Sequence, residues 1–223
     1  NSYIYLYGDL DMEKALNYID ENYLNDFEYF NVDSSIILNE PFKEQKTVYE
    51  TYSASKDEIS ENKDFLAYTW CLGDSKNKED LFLRDFLSEL LIDAEAAPIK
   101  KALLKAGIGE DIYAETSSSE VLDLSVVVKN TSKERLDEFK KIVEDTLKDQ
   151  ITNGIDRDLL LATLNKFEFA FREGGGTQRA IIYYIRALNS WLYDNSPFDG
   201  LTFNDTIENL KSNIEDGVFE KYI

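Results

Sequence analysis

No histidine occurs anywhere in the 223 residues of this chain. Histidine is the usual general base, the usual partner of a nucleophilic Ser or Cys, and the commonest ligand of catalytic zinc. A Ser-His-Asp triad, a Cys-His pair and any zinc site built on imidazole are therefore excluded. Cysteine occurs once, as Cys71, which excludes an internal disulfide and a thiolate cluster. Its position inside the apolar run Phe65–Leu72 predicts a buried, inert thiol. Basic residues are scarce: 24 Lys and Arg stand against 44 Asp and Glu, for a formal net charge of −20. The basic footprint needed to grip a nucleic-acid backbone is missing, and a cationic partner fits better. No apolar run approaches the roughly 18 residues of a membrane-spanning helix, and no signal-peptide pattern is read, so no membrane partner is expected.

What is present describes a folded protein with a sizeable core. Hydrophobic residues make up 43% and aromatics 13%, with 14 Tyr and 13 Phe, well above what a disordered chain carries. Ser2–Gly8 alternates Tyr with Ile and Leu and stops at Gly, which predicts a strand. Asp9 or Asp11 can then cap a helix with Met12, Ala15, Leu16, Ile19 and Tyr23 as its stripe. Periodicity is lost from about Asn25 to Lys43, a linker expected to be held down by Phe27, Tyr29, Phe30 and Ile36–Leu38. Lys46–Ala54 and Phe65–Leu72 alternate as two strands of a hairpin around the charged turn Lys56–Lys63. Glu79–Ile92 is predicted as a helix burying Leu83, Phe86, Leu87, Leu90 and Leu91. Pro98 starts a shorter helix that Gly107 and Gly109 end. Asp111–Thr116 and Val121–Lys129 are two more strands, the second with Leu122, Leu124, Val126 and Val128 on one face. Thr131 with Glu134 reads as a capping box for a helix closing at Asn153-Gly154. Asp156 caps the next helix, to about Arg172, and Gly174–Gly176 breaks the chain. A further helix is expected to turn Ile181, Ile182, Ile185, Leu188, Trp191 and Leu192 inward, followed by short helical pieces. Hairpins interleaved with helix groups predict an α+β fold, an antiparallel sheet with helices packed on one face.

Local motifs carry little chemistry. The glycines of Arg172-Glu173-Gly174-Gly175-Gly176 precede a helix, but no strand leads into them and Glu173 would repel a phosphate, so a helix break is the better reading. Carboxylate pairs such as Asp57 with Glu58, Glu79 with Asp80 and Glu144 with Asp145 are expected by chance among 44 acids. Neighbours in a helix also do not face each other. Gly8–Asp11 and Asp194–Ser196 are rich in oxygen but lack the ligand spacing of a calcium loop. Trp70 and Trp191 lie on apolar faces and read as core. The triplets Asn130-Thr131-Ser132 and Asn204-Asp205-Thr206 are read as chance matches to a glycosylation signal.

Three segments in order resemble a known family. They are Ser-Tyr-Ile-Tyr-Leu-Tyr-Gly-Asp-Leu-Asp at Ser2–Asp11, the run from Leu90 to Gly109 containing Ala-Ala-Pro-Ile-Lys-Lys-Ala-Leu-Leu-Lys-Ala-Gly-Ile-Gly, and Ser-Trp-Leu-Tyr-Asp-Asn-Ser-Pro-Phe at Ser190–Phe198. Together they resemble the insulinase-like (pitrilysin) zinc metallopeptidases, in the presequence protease branch. The resemblance implies a long parent chain of related α+β domains closing around an unfolded peptide, with an inverted zinc motif His-x-x-Glu-His in its first domain. That motif is absent here, so no catalytic, cofactor-binding or metal residue is carried over to any position, and substrate contacts are unassigned. Together with the start at Asn1, the resemblance implies an internal fragment. Residues 1–24 would be the closing strand and helix of a preceding domain, 25–43 a linker, and 44–223 a non-catalytic α+β second domain.

The expected function is accordingly that of a non-catalytic segment of a zinc-dependent metalloendopeptidase that encloses and degrades unfolded peptides, inactive on its own. Zinc would be held by residues outside this chain. Its partners would be the remaining domains of the parent and the parent's peptide substrates. An unpaired Ser2–Gly8 strand would be poorly ordered or would borrow a sheet edge, giving a route to self-association. The expected setting is the cytoplasm, with an organelle matrix as the family alternative. The competing expectation is a free-standing acidic interaction module of the same fold, without peptidase activity.

Overall fold

The central strand, β3 (Val121–Thr131), organises the fold. Its Leu122, Leu124, Val126 and Val128 alternate onto one face and all four are buried, as a period of two dictates. β1 (Asp64–Asp74) pairs with it antiparallel on one side and β2 (Asp111–Glu115) on the other, in the order β1-β3-β2. The register places Leu66 and Ile112 on either side of Val128, and Trp70 beside Leu124. This is a computed structural model, describing residues 3–33, 42–55, 62–117, 119–173, 176–212, 214 and 217–223.

Helices cover one face of that sheet. α2 (Lys78–Ser88) begins where the Asn77 side chain accepts from the Glu79 N–H, and it runs on as a π-helical turn, Glu89–Asp93. α3 (Pro98–Lys105) and α4 (Leu136–Asn153) complete the inner layer, and α5 (Arg157–Glu173) and a later helix, residues Asn204–Ser212, pack outside. Leu83, Phe86, Leu87, Leu90 and Leu91 are all buried, as their spacing predicts. Phe86 lies at the centre of the core, fully buried, with the Phe219, Phe167 and Phe82 rings 4.8, 5.5 and 6.3 Å away. Burying one such ring is worth about 1.5–3 kcal/mol relative to exposure. The exit of α3 is a Schellman motif: the Gly107 N–H donates to the Leu104 carbonyl and the Ile108 N–H to that of Leu103. The architecture is the α+β sheet-and-helix layer that the sequence predicts.

Several local expectations are corrected. Tyr3–Tyr7 is extended but pairs with no strand among the described residues; it lies along α6 (Arg179–Trp191). Its rings meet that helix in antiparallel order, Tyr3 with Trp191 at 4.6 Å, Tyr5 with Tyr184 at 5.1 Å and Tyr7 with Tyr183 at 5.8 Å. Tyrosines at alternate positions therefore meet a helix instead of a sheet. α6 itself does not turn its predicted stripe inward. Ile181, Ile185 and Leu192 are exposed, while Ala187 and Ser190 are its buried residues. Trp191 is half-buried under Tyr3, whereas Trp70 packs against the core.

Lys46–Ala54 has no regular secondary structure and joins no ladder among the described residues, so the predicted hairpin does not form there. α1 (Met12–Ile19) forms with Asp11 as its N-cap, yet none of its residues is buried. Phe27, Tyr29 and Phe30 are exposed, Tyr29 at 94%, and so do not anchor the linker. Cys71 is exposed because β1 turns it to the face that the helices leave open. The cap after β3 is Ser132 and not Thr131: the Glu134 N–H donates to Ser132 Oγ, and Thr131 is the buried last residue of the strand. Ile36–Leu38, the turn 56–61, and Gly174 and Gly175 lie outside the described residues.

Candidate functional site

In the order β1-β3-β2 the outer edges of β1 and β2 are both without a strand partner among the described residues; on the short β2 edge Asp93 accepts from the Ala114 N–H at 2.8 Å, and β1 is the longer of the two. β1 pairs with β3 along one side, and among the described residues no strand covers its other side. From Phe65 to Leu72 that strand carries no charged residue. It therefore lacks the charged guards by which exposed edges usually resist further pairing.

Beside this edge lies a groove of about 650 Å3. Its outer wall is the segment 45–52 and its floor includes Leu136 and Lys140 of α4. Side chains hold the outer wall in place. The Tyr52 hydroxyl donates to the Lys63 carbonyl at 2.5 Å, and the Tyr52 ring meets Phe65 edge-on at 5.3 Å. Lys140 Nζ donates to Gln45 Oε1 at 2.7 Å and lies 5.6 Å from the centre of the Tyr68 ring. The Tyr68 hydroxyl donates to Glu144 Oε1 at 3.0 Å. Burial first, and Glu144 second, push the Tyr68 pKa up, so this phenol stays a proton donor at neutral pH. Open backbone groups, apolar walls and lysine side chains suit an extended peptide.

The acidic pairs singled out in the sequence are tied into structural roles. Glu144 accepts from Tyr68 and pairs with Lys148, and Asp145 pairs with Lys141. Glu79 and Asp80 occupy the first turn of α2, where acids offset the helix dipole. Asp57 and Glu58 lie outside the described residues. Asp11 caps α1, and in the Asp194–Ser196 turn Asn195 Nδ2 donates to the Lys76 carbonyl. Among the described residues no group of three or more His, Cys, Asp or Glu side chains comes together in a way that could hold a metal ion. No helix among them is long and apolar enough to cross a membrane.

The sequence predicts both walls of the groove as paired strands, but only β1 is one; the groove was missed because alternation does not report whether two segments pair.

The family model described as Peptidase M16 inactive domain matches residues 1–167. The chain is 39% identical over 226 residues to Protein HypA of Clostridium perfringens, covering 100% of this chain and 23% of that protein. It is 29% identical over 221 residues to presequence protease 1, chloroplastic/mitochondrial, of Arabidopsis thaliana, covering 96% of this chain and 20% of that protein. The chain thus spans about a quarter or less of the length of these curated relatives. In fold it is similar to the inactive peptidase domain of a protein described as a zinc protease from Bordetella parapertussis. The TM-score there is 0.56 at 12% identity, over 71% of this chain and 82% of that one. It is also similar to a protease from Helicobacter pylori, with a TM-score of 0.55 at 11% identity, over 96% of this chain and 46% of that one.

Proposed function

The chain belongs to the peptidase M16 inactive-domain family and is related to presequence proteases, and from that premise we propose that it is a non-catalytic part of a zinc-dependent metalloendopeptidase that encloses and degrades unfolded peptides. The observation that carries this reading is the combination of the family match with a sequence that has no histidine. The chemistry, a zinc-activated water, then belongs to residues outside these 223. This chain's own contribution is a wall for the peptide: the open β1 edge and the groove beside it.

The proposed organisation is residues 1–24 as the closing element of a preceding domain, 25–43 as a linker and 44–223 as the non-catalytic domain. The unburied α1 and the exposed aromatic residues at 27–30 support the first two parts, because they leave apolar surface that no other described residue covers. The partners are then the parent's other domains and its peptide substrates, in the cytoplasm or an organelle matrix.

The test is a metal and activity measurement on the purified chain. We expect no stoichiometric zinc by elemental analysis and no cleavage of an unstructured fluorogenic peptide, with or without added zinc. Chelator-sensitive cleavage by the chain alone would sink the proposal. Reading the parent coding sequence upstream of Asn1 provides a second arm. A His-x-x-Glu-His motif there supports the proposal, and a start codon immediately before Asn1 replaces it with a free-standing acidic interaction module.

A further inference from the structure

Arg186 differs from four other arginines of this acidic chain, of which Arg179 donates through a terminal nitrogen to the Glu173 carbonyl at 2.7 Å. Arg84, Arg135 and Arg172 each point their guanidinium groups at a carboxylate, at 2.7 to 3.0 Å. No hydrogen bond or ion pair engages the Arg186 guanidinium among the described residues. It lies instead over the Phe171 ring, 4.1 Å from its centre. Burial pulls its pKa below the ordinary arginine value, so the site holds a positive charge that is partly stripped of water.

That charge faces a cavity of about 80 Å3 between α2, α5, α6 and the segment leading into α7 (Asn204–Ser212). The apolar wall is a run of rings: Phe171 lies 4.6 Å from Phe203 and 5.9 Å from Phe82. The polar wall is Thr202, Thr206 and Asn189. Lys78 Nζ already donates to Thr202 Oγ1 at 2.8 Å, which leaves the hydroxyl proton free to point at a ligand. The turn that carries this wall is pressed against α6, since a side chain at Gly200 would begin 2.2 Å from the Arg186 carbonyl oxygen. Asp85 and Asp199 also line the cavity. Asp85 Oδ1 is taken by Arg84, through Nε at 2.9 Å and a terminal nitrogen at 2.7 Å.

We propose that this cavity binds a monocarboxylate with a short apolar stem. The guanidinium fork matches the two carboxylate oxygens, and the phenylalanine wall takes the stem. The volume admits a few water-sized groups and no large ligand. The two aspartates on the wall disfavour a dianion such as phosphate. A free short-chain acid and the terminal carboxylate of a peptide share this chemistry.

The experiment is ligand titration of the purified chain by NMR, with isobutyrate, its neutral analogue isobutyramide, and inorganic phosphate. We expect isobutyrate to bind at millimolar concentration, and isobutyramide and phosphate at least about tenfold more weakly. R186Q should lose isobutyrate binding by a similar factor. Equal binding of isobutyrate and isobutyramide, phosphate binding as tightly as isobutyrate, or R186Q titrating like the unmodified chain overturns the proposal. The first two comparisons use unmodified protein, so the outcome stands even where the variant does not fold. Two peptides ending in valine, one with a free and one with an amidated terminus, separate the sources. A free terminus that outbinds isobutyrate assigns the site to chain ends, and a weaker one assigns it to small acids.

Discussion

Gly107 and Gly109 lie two residues apart after α3, and substituting each by alanine separates two physical effects that usually occur together. Both have positive φ, 64° and 74°, so either alanine must enter the left-handed region at a penalty of about 1–2 kcal/mol. At Gly107, the C′ position of the Schellman motif, a Cβ meets nothing within 4 Å. At Gly109 the same atom would lie 2.1 Å from Val128 Cγ1 and 2.7 Å from the Lys129 carbonyl oxygen. Val128 is fully buried in the central strand and Lys129 is paired with Asp111 in the ladder, so neither can easily move away. Forcing extra volume into such packing destabilises by a further ~1–3 kcal/mol. Gly107→Ala should therefore lower stability by about 1–2 kcal/mol and Gly109→Ala by about 2–5 kcal/mol. Urea unfolding followed by the fluorescence of Trp70 and Trp191 measures both, provided the slope m is unchanged. Equal losses for the two variants, or a larger loss at Gly107, would refute the claim that backbone contact with β3 fixes Gly109.

Three further outcomes are expected. Asp93 accepts from the Ala114 N–H at 2.8 Å, yet burial holds its pKa above the usual carboxylate value of 3.8. The native state then binds that proton more tightly than the unfolded chain, so this group's contribution to stability falls as pH rises from about 3.8 through the raised native pKa. Asp93→Asn keeps an acceptor and should gain on the unmodified chain as pH rises across that window; urea midpoints moving the opposite way would contradict it. Tyr3→Ala, in a Trp70→Phe background, removes the ring lying 4.6 Å from Trp191. It should shift the remaining tryptophan emission to the red and reduce stability by about 0.5–1.5 kcal/mol; unchanged emission would show that the N-terminal segment does not rest on α6 in solution. The exposed Cys71 thiol should react with an aromatic disulfide reagent in the folded protein, and a thiol that titrates only in denaturant would mean that the open sheet face is covered.

The elements that could be read from sequence are those whose neighbours are close in the chain or whose two faces differ sharply. α2 was predicted together with its buried stripe, since Leu83, Phe86, Leu87, Leu90 and Leu91 repeat at helical spacing beside a charged opposite face. β3 was predicted because four branched or leucine residues alternate. α6 shows the limit of the same reasoning. Its apolar stripe correctly identified a helix, but Ile181, Ile185 and Leu192 are exposed, because periodicity reports that a helix has an apolar face and says nothing about what covers it. The groove was hidden for a similar reason: Lys46–Ala54 alternates as a strand should, and alternation is satisfied equally by a paired and an unpaired extended segment. Arg186 gave no sequence signal, since its surroundings come from Phe171, Thr202 and Asp85, which are distant in the chain.

Sequence alone determined the exclusion of imidazole chemistry, the α+β class and the family, because composition, periodicity and ordered motifs are properties of the chain itself. Only the tertiary structure decided that the N-terminal tyrosines lie on a helix, that no strand among the described residues covers the outer edge of β1, and that one arginine stacks on Phe171 at the side of a cavity. Each of these depends on which surfaces meet, and such meetings are set by the summed packing of distant segments, which no local pattern encodes.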